Sequence, residues 1–218
     1  MRFALLLLLL YGLAGAQSLT SLLEQHRADP TDWKLCNQIA IAYTEQQKFE
    51  EAAAFYRKVT VLNPAFVPAH KNLAVVLWFA GKRAEATALF RRLVTVIPAD
   101  PVPHLYLGLA HHEGNEHAKA WKQFSAAGDL ALKNPEVLPA AIDSALAVKD
   151  KSVPELIARV RDSRDQQAAL RTAAVLDRRQ MPEQAHALYA HAVEVNPDNE
   201  QAYTSIATFA AEHENRRY

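Results

Sequence analysis

Apolar residues recur at helical spacing along nearly the whole chain. From Trp33 to Gln46, the residues Cys36, Ile39, Ala40 and Tyr43 fall on one stripe, as one face of a helix requires. Gln47-Lys48 makes a short turn. From Phe49 to Leu62, Ala52, Ala53, Tyr56 and Val59 form a second inward stripe. Asn63-Pro64 ends it, because proline disfavours helix at the residue before it. The same pattern returns from Val67 to Ala80, with a turn at Gly81-Lys82 and a second helix to Val96. The predicted building unit is therefore a pair of antiparallel helices.

The pairs repeat with a period of 34 residues. Pro30, Pro64 and Pro98 are spaced at that interval, as are Ala52, Ala86 and Ala120, with Ala185 further on. An aromatic follows each of these alanines four residues later, at Tyr56, Phe90, Phe124 and Tyr189, and a small residue precedes them at Ala40, Ala74, Gly108 and Ala173. These columns have a physical cause. Paired helices approach closely only where side chains are small, and a large aromatic fills the space left beside them. The predicted organisation is a half-repeat over 17–32, repeats over 33–66, 67–100 and 101–134, a degenerate repeat over 135–165, a repeat over 166–199 and a terminal half-repeat over 200–218. In the degenerate unit the helices are expected from Pro135 to Lys149 and from Ser152 to Arg161. Glu200, Gln201, Glu212 and Glu214 supply the polar face that a terminal repeat needs. Asn215–Tyr218 reads either as a solvating cap or as the start of a helix cut short.

Composition agrees with this reading. There are 40 alanines and only 6 glycines among 218 residues, which favours helix over strand. Before the repeats, Arg2, the apolar run Phe3–Leu10 and the small residues Ala14-Gly15-Ala16 have the form of a secretory signal over 1–16. The run is too short for a bilayer core, which needs about 20 residues. A cleaved signal is the expectation and a retained anchor the alternative. No later stretch resembles a membrane span, so the mature chain is expected to be soluble, in the periplasm or secreted.

The small–aromatic–proline columns resemble the tetratricopeptide repeat (TPR) family. They are Ala40, Tyr43, Ala52, Tyr56 and Pro64; Ala74, Gly81, Ala86, Phe90 and Pro98; Gly108, Ala120, Phe124 and Ala127; and Ala173, Ala185, Tyr189, Ala192 and Pro197. The resemblance implies an all-α, right-handed superhelical solenoid of antiparallel helix pairs, with a concave groove lined by the first helix of each pair. It also implies a protein or peptide ligand. Carried over by register, the groove positions include Asn37, Ile41, Lys71, Val75, Trp78, Phe79, Leu105, Leu109 and His112. An exposed Trp78–Phe79 pair is expected as the hot spot for an apolar segment, with Lys71 or Asn37 fixing its polar groups. The carboxylate clamp of some relatives wants Lys and Asn where this chain has Asn37 and Ile41, and Lys and Arg where it has Val102 and Tyr106. Only Asn72 matches, so a C-terminal carboxylate is disfavoured as ligand.

Charge and chemistry narrow the function. With 24 basic and 24 acidic residues the chain has no net charge to attract a nucleic acid. No phosphate-cradling glycine loop or nucleophile motif is present. The single Cys36 lies inside a predicted helix and reads as a small packing residue. His111-His112-Glu113 with Glu116 and His117 is the most metal-like cluster, but it spans a turn and lacks the spacing of known zinc motifs. His111 stands in the column that holds Tyr43 and Leu77. No metal or cofactor is therefore expected. The leading expectation is a non-enzymatic exported adaptor that holds a partner or assists assembly of a cell-envelope complex. The alternatives are the repeat portion of a longer chain, or a metal-binding protein using the His-rich third repeat. Self-association through Trp78 and Phe79 stays open.

Overall fold

A computed structural model describes residues 18–214. The expected signal segment 1–16 and the terminal Asn215–Tyr218 lie outside the described residues. Among the described residues there are thirteen helices and no strands. They are α1 (Leu19–Ala28), α2 (Trp33–Glu45), α3 (Phe49–Leu62), α4 (Val67–Phe79), α5 (Arg83–Val96), α6 (Pro101–Glu113) and α7 (His117–Ala127). After these come α8 (Asp129–Leu132), α9 (Leu138–Ala147), α10 (Val153–Asp162), α11 (Gln166–Arg178), α12 (Pro182–Val195) and α13 (Glu200–Glu214). The chain divides between Pro103 and His104 into two compact units.

One turn recurs in both units. Gln47, Gly81, Asn115, Lys149 and Gln180 adopt left-handed φ values of 58°, 78°, 56°, 55° and 60°. In each case the next residue donates its N–H to the carbonyl five residues back, at 2.8–2.9 Å: Lys48 to Tyr43, Lys82 to Leu77, Glu116 to His111, Asp150 to Ala145 and Met181 to Leu176. This is the Schellman closure of a helix C-terminus. Only Gly81 is the glycine that such a turn favours. The other four residues accept a conformation that costs an L-residue about 1–2 kcal/mol.

The turns also locate the irregularity. The first four lie 34 residues apart and the fifth follows after 31. The shortening thus falls between Lys149 and Gln180, where α10 has 10 residues against 14 in α3, α5 and α12. The helix expected from Pro135 begins only at Leu138. Asn134 Oδ1 accepts the Glu136 N–H at 2.9 Å, holding that stretch as a turn, and Pro139 fits only in the first turn of α9. Other helix starts are set by side chains. Asp32 Oδ1 accepts the Lys34 and Leu35 N–H groups at 2.8 and 3.2 Å, and Asp165 Oδ1 accepts that of Ala168 at 2.7 Å.

Packing follows the columns. In the first unit Ala40, Ala52, Tyr56, Ala74, Ala86 and Phe90 are fully buried. Burial pushes the Tyr56 phenol pKa up to about 12, so the group stays neutral, and its Oη accepts from Asn72 Nδ2 at 3.4 Å. In the second unit Gly108 allows a close approach, and a Cβ added there would lie 2.5 Å from Phe124 Cδ1. Further along, Leu138, Ile142, Leu156, Val160, Leu176 and Leu188 join one buried cluster.

The first unit also buries a polar contact. His26 is 9% exposed, with Lys58 Nζ 3.0 Å from its Nε2 and Cys36 Sγ 3.7 Å from its Nδ1. An ammonium only donates, so Nε2 accepts and the ring proton resides on Nδ1. Burial lowers the His26 pKa, Lys58 lowers it further, and Asp29 opposes them. Burial also raises the Cys36 thiol pKa, which keeps it un-ionised.

Two outcomes follow from this packing. Gly108→Ala must displace the Phe124 ring and should cost about 1–3 kcal/mol, as overpacking does. Urea unfolding measures it, and a change below about 0.5 kcal/mol would mean the ring yields freely. For His26, the unfolded chain binds a proton more tightly than the folded one. Its contribution to stability is therefore full above pH 6.5 and declines as pH falls through the lowered folded value. His26→Gln should flatten the fall in urea midpoint between pH 7.5 and 5, and an unchanged slope would assign it to other groups.

Candidate functional site

The structure redistributes the groove residues expected from register. In the first unit Val75 and Trp78 are only 4% and 5% exposed. The Arg83 guanidinium lies 3.8 Å from the Trp78 ring centroid, its Nη1 donates to Trp78 O at 3.0 Å, and Phe90 meets the indole edge-on at 6.5 Å. Phe79 is half-buried and stacks on Phe49 at 5.4 Å. The exposed aromatic pair expected from sequence is therefore corrected to a buried Trp78 beneath an arginine and a Phe79 engaged with its neighbour. Lys71 is paired with Asp100 at 2.7 Å. Ile41 and Asn37 are half-buried, and Asn37 Oδ1 is buried without a hydrogen-bond partner. In the second unit Leu105 is buried, while Leu109 and His112 are half-buried.

An open cleft of about 600 Å³ lies in the second unit, among Asp177 of α11, Tyr189 of α12 and one face of α13. Tyr189 and Phe209 form its apolar floor, their rings 5.3 Å apart. The α13 face carries Gln201, Thr204, Ser205, Thr208 and Glu212. The three hydroxyls donate to the carbonyls of Glu200, Gln201 and Thr204 in their own helix at 2.8–2.9 Å. Each proton is thus committed, and the oxygens have only lone pairs left to offer. Asp177, Glu200 and Glu212 add carboxylates, Asp177 accepting from His213 Nε2 at 2.7 Å. The cleft has an apolar floor and a rim rich in hydrogen-bond acceptors.

A second arrangement forms where α6 turns into α7. His111 Nδ1 meets Glu116 Oε2 at 2.5 Å, and Lys119 Nζ donates to Glu116 Oε1 at 2.6 Å. The Lys119 bond, followed by the His111 bond, holds the Glu116 pKa low. His112 and His117 instead approach each other, ring centroids 5.7 Å apart, and face Asp143 of α9. Burial lowers the His112 pKa, with Asp143 opposing. Arg179 Nε donates to Asp143 Oδ1 at 2.7 Å, and its Nη2 lies 3.3 Å from His117 Nε2. Since Nη2 can only donate, His117 Nε2 is the acceptor and its proton is on Nδ1, which is buried without a partner. Sequence reasoning singled out His112 and His117 but missed Asp143 and Arg179. The signal was there: a lone carboxylate in the apolar stretch Leu138–Ala147.

The sequence profile described as tetratricopeptide repeat matches residues 34–66. Among solved structures, YrrB superposes with a TM-score of 0.63 at 15% identity, covering 86% of this chain and 98% of that one. The chain has the TPR fold. The Pseudomonas aeruginosa protein PilF gives 0.60 at 18% identity, covering 87% of each chain. MamA from Desulfovibrio magneticus RS-1 gives 0.55 at 22% identity over 65% of this chain and 80% of that one. At these identities the likeness speaks for the fold alone. No curated protein matches the chain in sequence.

Within this TPR fold Trp78 is core. Trp78→Ala should cost about 3–5 kcal/mol, the range for removing a buried aromatic. Chemical unfolding of the variant checks this, and a loss under about 1 kcal/mol would return Trp78 to the list of surface residues.

Proposed function

We propose that the protein is an exported, non-enzymatic TPR scaffold that binds a protein or peptide segment, in support of a cell-envelope assembly. The cleft among α11, α12 and α13 is the observation that carries this reading. An apolar floor ringed by polar groups is how protein interfaces are built, with burial in the centre and hydrogen bonds at the edge. Its acceptor-rich rim suits a segment that brings donors, either backbone N–H groups or Lys and Arg side chains. YrrB, similar in fold, is described as a TPR protein with an unusual peptide-binding site, which supports a peptide ligand here. Export rests on Arg2, the apolar run Phe3–Leu10 and Ala14-Gly15-Ala16. No described helix is long and apolar enough to cross a membrane.

The test is capture from an envelope fraction with residues 17–218 as bait, beside a Ser205→Arg/Thr208→Arg variant. Both positions lie on the cleft face of α13, so added guanidinium groups should block the floor and repel a donor-rich segment. Capture is expected to drop at least tenfold, or about 1.4 kcal/mol, with helicity unchanged. Equal capture by both proteins would remove the cleft as the binding face.

A further inference from the structure

We propose that His112, His117 and Asp143 bind one divalent transition-metal ion of the zinc class, tying the α6–α7 turn to α9. One ring nitrogen from each histidine and one carboxylate oxygen of Asp143 lie within 4.8 Å of one another. Imidazole and carboxylate are the donors zinc takes in this combination, at about 2.0–2.2 Å, so neighbouring donor atoms in a tetrahedral site stand about 3.3 Å apart. Closing from 4.8 Å to that spacing asks the side chains to approach by about 1.5 Å.

The surroundings orient the donors, with Ser144 Oγ 3.3 Å from His112 Nδ1 and Arg179 beside the other two. Arg179 Nε holds Asp143 Oδ1 at 2.7 Å, while Oδ2 faces His112 Nδ1 at 3.9 Å. A carboxylate anchored through one oxygen and directed through the other is the outer-shell support that metal ligands need. His117 carries its proton on Nδ1, so its Nε2 lone pair points into the cluster, where Arg179 Nη2 now takes it at 3.3 Å. The ion would take that lone pair by a turn of the His117 ring away from the guanidinium, which stays on Asp143 through its Nε–Oδ1 and Nη2–O bonds. The His112 side chain is 25% exposed, which gives an ion a route from solvent. Three protein ligands leave the fourth position to water. His111 and Glu116 bond to each other and stand outside the set.

Chelator-treated, tag-free protein titrated with Zn²⁺ by calorimetry, and with Co²⁺ by visible absorption, tests the site. The expected result is one equivalent bound, with an affinity at least tenfold weaker in His117→Ala and in Asp143→Asn and unchanged in His111→Ala. Should the variants unfold, ring-nitrogen NMR of the intact protein gives the second readout, and Zn²⁺ should shift the His112 and His117 signals together at one equivalent. No saturable binding, equal affinity in His117→Ala, or shifts confined to other histidines would overturn the proposal.

Discussion

Each helix pair in this protein is closed by the same hydrogen bond, from the residue after a left-handed turn to the carbonyl five residues earlier. That bond fixes how the first helix stops and where the second begins, so the small columns of the two helices meet at a constant offset. Gly108 comes to Phe124, and Ala40, Ala52 and Tyr56 are all fully buried, because the closure between the helices never changes length. A repeat can therefore lose residues only away from its turn. This protein does so, shedding a turn of α10 while Lys149 keeps its left-handed conformation.

The columns that define the pairs were legible in the sequence because burial selects residue size at a fixed interval. The turns were less so. Gly81 announces itself, whereas Gln47, Lys149 and Gln180 do not, since the hydrogen bond they close compensates a conformational cost that composition cannot display. Side-chain exposure was the least legible. Trp78 stands where the register implies a surface, yet Arg83, five residues on across the turn, lays its guanidinium over the indole. No periodicity of apolar residues reports a cation acting as a lid, and the same holds for the Arg179 that meets Asp143.

The two polar clusters treat charge differently: in the first the cation stays exposed at the edge of a neutral ring, and in the second a buried charge has its partner brought with it. Lys58 reaches over Phe55, 4.6 Å from its ring, to a neutral His26. Asp143 sits at 8% exposure with Arg179, the residue that follows α11, directed at it. A carboxylate so enclosed without a cation would cost several kcal/mol. The cost explains why Asp143 stands alone in its column, which elsewhere carries Ile41, Val75 and Leu109.

The two histidines owe their proximity to the turn and not to each other. His112 and His117 flank Asn115 as Trp78 and Arg83 flank Gly81, three residues before and two after. In the second repeat this pair of positions holds a cation against an aromatic ring at 3.8 Å, and in the third it holds two imidazoles with centroids at 5.7 Å. A contact made with such different side chains belongs to the backbone. The imidazoles therefore do not have to be ordered for a ligand at the moment it arrives, which removes one of the entropic costs of binding. Only the third donor had to be supplied, and the first helix of the shortened repeat supplies it at the one column position where a carboxylate replaces an aliphatic residue. A metal ion there would link the turn, the helix after it and α9, and so tie the irregular repeat to the one before it.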